Sequence, residues 1–160
     1  MLIDRKNIAE TCAKIRSTGA KIVFTNGCFD ILHVGHVRYL TAAKKLGDVL
    51  IVGLNTDASV KLLKGDARPV NKEKDRAEVL LGLKAVDYVV LFGERTAENL
   101  VAQVKPDVYV KGGDYTVEQI PEAKIVQSYG GTVRLIDFVS GYSTTMTIEK
   151  LSAAAEINHG

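Results

Sequence analysis

The chain has 160 residues, 46% hydrophobic and 25% charged, with a formal net charge of +2. That is the length of one domain able to bury about two-thirds of its unfolded surface. The near-balanced charge and the lack of any long apolar run argue against a nucleic-acid partner and against a membrane one.

In chain order, Asn7 to Thr18 has amphipathic helical spacing and stops at Gly19. Lys21 to Thr25 reads as a strand and Val37 to Leu46 as a helix ended by Gly47. Val49 to Leu54 is a continuous apolar run, the pattern of a strand buried on both faces. Asn55, Thr56 and Asp57 form a capping turn into a short helix, Ala58 to Leu63. Gly65 to Asn71 is a basic irregular loop around Pro69, and Lys72 to Lys84 is helical. A strand (Asp87 to Phe92), a helix (Ala97 to Val104) ended by Pro106, and a strand (Asp107 to Val110) follow. A helix (Ile120 to Tyr129) closed by Gly130 and Gly131, a strand (Thr132 to Phe138) and a last helix (Thr145 to Ala155) complete the pattern.

Strands alternating with helices, without a long linker, predict a single α/β domain: doubly wound, Rossmann-like, with a five-stranded parallel sheet. Residues 1–20 would add an N-terminal helix, 21–150 the catalytic core and 151–160 a tail. Right-handed crossovers place the loops after the strands along one sheet edge, where ligands bind. Cys12 and Cys28 form no disulfide framework and no metal spacing. The charged stretch from Met1 to Ser17 lacks a signal-peptide core, so a reduced cytoplasmic setting is expected.

The loop after the first strand reads Thr25-Asn26-Gly27-Cys28-Phe29-Asp30-Ile31-Leu32-His33-Val34-Gly35-His36. A strand delivering the chain to a tight turn and a helix N-terminus is what a phosphate requires. His33 and His36, at i and i+3, share one side of the first helical turn, and Gly35 lets a ligand approach. Together they can donate to a phosphate chain and stabilise charge developing there. The same spacing would suit a metal, but His159, the only other histidine, sits at the C-terminus. Asp30 can orient a Mg²⁺ shell or cap the helix that carries the histidines.

Three more loops fall on that edge. Asn55 and Asp57, with Lys61, Lys64, Arg68 and Arg76 downstream, suit an acceptor phosphate, although a charge run also makes a solvated face. Lys111, Gly112, Gly113 and Asp114 allow close approach of a base or ribose, or make a plain tight turn. Gly141 to Thr145 sets Ser143, Thr144 and Thr145 at a helix start, where they can cap it or bind β- and γ-phosphates.

The Gly-Cys-Phe-Asp-x-x-His-x-Gly-His string resembles the signature of the HxGH nucleotidyltransferase superfamily, the cytidylyltransferase-like enzymes. With LNTDASVKLLKGDARPVN, VKGGDY and GYSTT it is most similar to the heptose 1-phosphate adenylyltransferases, including the C-terminal half of bifunctional heptose kinase/adenylyltransferases. The resemblance implies transfer of AMP from ATP, with Mg²⁺, to a sugar 1-phosphate, D-glycero-β-D-manno-heptose 1-phosphate, giving ADP-heptose for the lipopolysaccharide inner core. It implies that His33, His36 and Lys61 are catalytic. Asn26, Gly27, Cys28, Phe29, Asp30, Gly35, Lys111, Gly112, Asp114, Ser143, Thr144 and Thr145 would hold the nucleotide. Lys64, Arg68, Arg76, Asn55 and Asp57 would hold the acceptor phosphate. No kinase half is present in this sequence, so a free-standing transferase is expected. Members of the family commonly dimerise, and Val86 to Phe92 offers an apolar edge for a homodimer.

Two alternatives stand beside this. A CTP-dependent cytidylyltransferase for glycerol 3-phosphate would use the same chemistry. Such enzymes have an arginine just before their Gly-x-Ser-Thr-Thr, where this chain has Phe138 and Val139. An ATP-sensing module without turnover is the other, and it would not need both histidines.

Overall fold

The apolar runs decide the centre of the molecule. In the computed structural model, which describes residues 1–113, 115–137 and 144–159, they form one parallel sheet of six strands. The strands are β1 (Leu2–Ile3), β2 (Ile22–Gly27), β3 (Val49–Asn55), β4 (Tyr88–Phe92), β5 (Val108–Gly112) and β6 (Thr132–Ile136), in the order β1-β4-β3-β2-β5-β6. The helices are α1 (Ile8–Ser17), α2 (Val34–Lys44), α3 (Asp57–Lys64), α4 (Glu73–Leu81), α5 (Glu98–Val104), α6 (Ala123–Ser128) and α7 (Thr144–His159). None of them, among the described residues, is long and apolar enough to cross a membrane.

Period-two alternation splits the core into two layers. Ile22 and Phe24 of β2 and Ile51 of β3 pack with Ile8, Leu100 and Val104 on one face. Val23, Leu50 and Val52 pack with Leu40 of α2 and Leu80 of α4 on the other. In the middle of β3, Gly53 has no side chain because a Cβ would lie 2.7 Å from Phe24 Cζ.

The expected five-stranded sheet is corrected to six strands. Leu2 and Ile3 pair in parallel with Val89 and Val90, a strand too short to show any periodicity in sequence. The stretch from Val86 to Phe92 is therefore no edge: β4 lies between β1 and β3, and the apolar surface expected there for a homodimer is covered. Most other elements start or stop within a few residues of expectation, and Phe138, the expected end of β6, lies outside the described residues.

The ligand edge is set by topology. From β2 the chain winds outward through β3 and β4, then crosses back to β5 and β6 on the other side. β2 and β5 are joined at their N-terminal ends, where Asp107 N–H donates to Ile22 O (2.9 Å) and Asp107 Oδ2 accepts from Ile22 N–H (2.8 Å). Their register covers only Val23↔Val108 and Phe24↔Tyr109, whereas β2 and β3 stay paired to Gly27↔Leu54. Beyond Phe24 the two strands separate, opening the crevice expected at a switch point.

Ile3 is buried at the far edge. Ile3→Ala should cost about 2 kcal/mol and lower the melting temperature by about 4–8 °C. An unchanged melting curve would show that β1 does not hold that edge.

Candidate active site

From Gly27 the chain turns sharply, with Phe29 at φ 45° and Ile31 at φ 50°. The left-handed region is a rare place for a β-branched residue, and such strain concentrates at functional sites. Asp30 ties the loop down: its Oδ2 accepts from Val70 N–H (2.6 Å) and its Oδ1 from Asn71 N–H (3.0 Å). It thus joins the loop after β2 to the one before α4. It does not cap α2, whose N-cap is His33, and each of its oxygens already accepts a main-chain N–H. No group of three His, Cys, Asp or Glu side chains able to hold a metal ion exists among the described residues.

The two histidines cap α2 reciprocally. His33 Nδ1 accepts from Gly35 N–H (3.1 Å), and His36 Nδ1 accepts from His33 N–H (3.2 Å). A neutral imidazole with Nδ1 as acceptor carries its proton on Nε2, so both rings become N–H donors at a helix N-terminus. The rings lie 4.0 Å apart, and Phe29 packs against His36 at 5.7 Å. Burial, then the neighbouring His33 and Lys64, push the His36 pKa down to about 4. Burial lowers that of His33 as well.

Where β2 and β5 part, tyrosines bridge the gap. The Tyr39 hydroxyl, on α2, accepts from Thr25 Oγ1–H (2.7 Å) and donates to Val110 O (3.3 Å). Tyr109 O–H donates to Asn26 Oδ1. Burial holds the Tyr39 hydroxyl up at about 12, so it works as a neutral strut.

Arg76 is enclosed. With a side chain 1% exposed, it donates from Nε to Asn71 O (2.9 Å), from Nη1 to Cys28 O (2.7 Å) and Asn55 O (3.0 Å), and from Nη2 to Asp57 Oδ1 (2.8 Å). The expected phosphate ligand is thus turned inward, where it locks the ends of β2 and β3 to the approach to α4. Asp57 and Asn55 are occupied with it: Asp57 pairs with Arg76, and Asn55 donates from Nδ2 to Ser59 Oγ (2.8 Å) and faces the Cys28 thiol.

Two cavities meet over this framework. The first, about 210 Å³, is lined by Asn26, Gly27, Cys28, Phe29, Asp30, His36, Tyr39, Lys64, Lys111, Gly112 and Tyr115. The second, about 420 Å³, lies over the ends of β3 and β4 and adds Asn55, Phe92, Arg95, Thr96, Gln119 and Glu122. Asn26, Gly27, Cys28, Lys64, Lys111 and Tyr115 border both. His33 and Gly35 adjoin the first cavity through the cap, whereas Lys61 is exposed on α3 and lines neither cavity. Thr145 is exposed in the first turn of α7. Asp114, Ser143 and the side chain of Thr144 lie outside the described residues.

Sequence reasoning missed Tyr39, Tyr115 and Glu122. The first was legible as the residue one turn beyond His36, and the second directly follows Asp114 in VKGGDY. Glu122 gave no signal; it is buried, and its Oε1 accepts from Ala97 N–H (2.9 Å) at the start of α5.

Arg76→Lys keeps the charge but cannot satisfy four acceptors, and should cost about 3 kcal/mol or more of stability. A melting temperature equal to wild type would refute the brace. His36 sets a pH dependence of stability. Its folded pKa lies below the unfolded value near 6.5, so the unfolded chain binds more protons between them. That contribution is complete above about pH 6.5 and is lost as the pH falls towards 4. His36→Asn should flatten this part of the curve, and an NMR titration should keep the ring neutral at pH values where free imidazole is charged.

The sequence profile of the cytidylyltransferase-like family matches residues 24–150. The bifunctional protein HldE of Pseudomonas paraeruginosa is 60% identical over 136 residues, 85% of this chain and 29% of the relative. That of Citrifermentans bemidjiense is 53% identical over 144 residues, 90% of this chain and 30% of the relative. The chain thus spans about 30% of the length of these relatives. The crystal structure of the lipopolysaccharide core biosynthesis protein from Thermoplasma volcanium GSS1 matches with a TM-score of 0.61 at 35% identity, over 78% of this chain and 100% of that one. The match extends from β2 through the histidine loop and both cavities into α7, and the chain belongs to the cytidylyltransferase-like family.

Proposed function

We propose that this chain is a nucleotidyltransferase that moves AMP from ATP to D-glycero-β-D-manno-heptose 1-phosphate, releasing pyrophosphate and giving ADP-heptose for the lipopolysaccharide inner core. The observation that carries the chemistry is the imidazole cap: two Nε2–H donors at a helix N-terminus, beside a cavity at the switch point. The substrate rests on the likeness to HldE proteins and to a lipopolysaccharide core biosynthesis protein, with the particular Asn55 to Asn71 string in support.

The reaction is an in-line displacement. An acceptor phosphate oxygen attacks the α-phosphorus, a new P–O bond forms, and the bond to the β-phosphate oxygen breaks, pyrophosphate taking the electron pair. The attacking phosphate is already anionic, so no general base is needed. The protein therefore supplies position and electrostatics. His33 and His36 donate to the triphosphate as charge builds, while Lys64, at the seam of the cavities, lies between the two anions. The first cavity suits the nucleotide, with Gly112 and Lys111 towards base and ribose. The larger one, walled by Asn55, Thr96, Gln119 and Glu122, suits a hydroxyl-rich acceptor. Mg²⁺ would be held mainly by the triphosphate oxygens of the substrate, where it would neutralise charge on the departing pyrophosphate. The two cysteines are free thiols, which fits a cytoplasmic enzyme.

His33→Ala and His36→Ala should each lower kcat by about a hundredfold or more while the protein stays folded. Near-normal turnover in both would refute the mechanism. Pyrophosphate release, with ATP and CTP crossed against heptose 1-phosphate and glycerol 3-phosphate, tests the substrates. Turnover with ATP and the heptose alone is expected; turnover with CTP and glycerol 3-phosphate would overturn the substrate and keep the chemistry.

A further inference from the structure

Among the described residues, the larger cavity is bordered by three cations, Lys64, Arg95 and Lys111, and by one carboxylate, Glu122. Lys64 and Lys111 also border the smaller cavity, whereas Glu122 borders the larger one alone. The carboxylate therefore stands away from the seam, in the part of the site that would receive the body of the acceptor.

Glu122 is held in an uncommon way. It occupies the N-cap position of α6, yet its side chain makes no capping bond to that helix. An N-cap side chain ordinarily accepts from the first N–H groups of its own helix. Here Oε1 reaches across to the start of α5 instead and accepts from Ala97 N–H (2.9 Å). The flanking Ile120 and Ala123 are buried in the core, so the main chain on either side is anchored. The bond to Ala97 accounts for one oxygen only. The other, Oε2, accepts no hydrogen bond from the described residues. Apart from two nitrogens of Arg68, no polar side-chain atom of the half-buried and buried residues described is sealed from solvent without a partner. Glu122 as a whole is only 3% exposed. The little it shows is thus Oε2, open on the cavity that it lines.

A fixed carboxylate oxygen facing a cavity can only accept hydrogen bonds. It takes O–H donors through short, charge-assisted bonds, and it repels phosphate and carboxylate groups. A sugar hydroxyl meets the first condition, and the sugar's own phosphate is turned away by the second. The charges thereby orient an acceptor, with its phosphate towards Lys64 and Lys111 and its hydroxyls towards Glu122.

We propose that Glu122 is the specificity-determining residue that reads the acceptor's hydroxyls, its Oε2 accepting from the sugar while Ala97 N–H holds the carboxylate through Oε1. This rests on the transferase reading and deepens it, because it makes the larger cavity selective for a polyol phosphate over a bare anion.

The test is Glu122→Gln, which keeps an oxygen for Ala97 N–H and replaces the oxygen facing the cavity with an NH₂ donor. Heptose 1-phosphate and inorganic phosphate are the paired probes, since the second lacks sugar hydroxyls. In steady-state pyrophosphate release, E122Q should raise KM for heptose 1-phosphate about tenfold or more, as for a lost hydrogen bond to a charged group. KM for ATP should stay within about twofold, since Glu122 borders only the larger cavity. Calorimetric titration into protein saturated with a non-hydrolysable ATP analogue and Mg²⁺ should show the same loss for heptose 1-phosphate. Inorganic phosphate should bind E122Q as it binds wild type, or more tightly. Weakening of both probes in parallel would overturn the proposal, because damage to the cavity as a whole does not tell hydroxyls from phosphate. An unchanged KM for heptose 1-phosphate, or a rise in KM for ATP instead, would overturn it too. If wild type turns over no acceptor, the transferase reading fails. Selective loss of heptose 1-phosphate binding in E122Q would then still uphold the role of Glu122, and no binding to wild type would overturn both. Should E122Q not fold, E122D, which draws the carboxylate back by one methylene, carries the same readouts.

Discussion

The separation of β2 from β5 beyond Phe24 and Tyr109 is the constraint on which the ligand edge depends. Crossovers from these two neighbouring strands leave towards opposite sides of the sheet, so nothing continues the ladder between them. Asp107 clamps the strands at one end through both main chain and side chain. At the other end the Tyr39 hydroxyl fills the space and joins Thr25 to Val110. The cleft is therefore braced both where the strands meet and where they part. The loop carrying both histidines starts from its mouth.

That loop is itself braced. It runs through two left-handed residues, Phe29 and Ile31, a conformation that persists only where its surroundings enforce it. The enforcement comes from below and from the side. Arg76 holds the Cys28 carbonyl, Asp30 holds the main chain of Val70 and Asn71, and the Phe29 ring lies against Gly27 and His36. Arg76 satisfies acceptors from three segments at once, which only a planar fork can do. A buried cation with an acceptor for each nitrogen is costly to break, and this one fixes the start of the loop from Gly27 to His36.

The imidazole cap ties helix capping to ring protonation in the same two side chains. Each Nδ1 accepts a backbone N–H that the start of α2 would otherwise leave without a partner, and the same bond fixes the proton on Nε2. Burial lowers the pKa of both rings and so favours their neutral form. The site thus presents N–H donors without burying two positive charges beside Lys64. Arg68 differs: its Nε and Nη2 lack protein acceptors, whereas every guanidinium nitrogen of Arg76 has one.

The sequence by itself determined the alternation of strands and helices, the ligand edge and the loop from Thr25 to His36. These are written in local patterns: apolar periodicity, capping residues and turn glycines act over a few residues. The residues of VKGGDY and of the loop after β3 were likewise legible as candidates. Tertiary structure decided what depends on contacts between distant segments. A two-residue strand has no period, so β1 and the burial of the β4 edge emerged only from pairing across the sheet. Lys61, Lys64, Arg68 and Arg76 look alike as a run of basic residues, yet one lines neither cavity, one borders both, one keeps orphan donors and one is fully enclosed. Burial and hydrogen-bond partners set the role of a charge, and both come from segments far away in the chain.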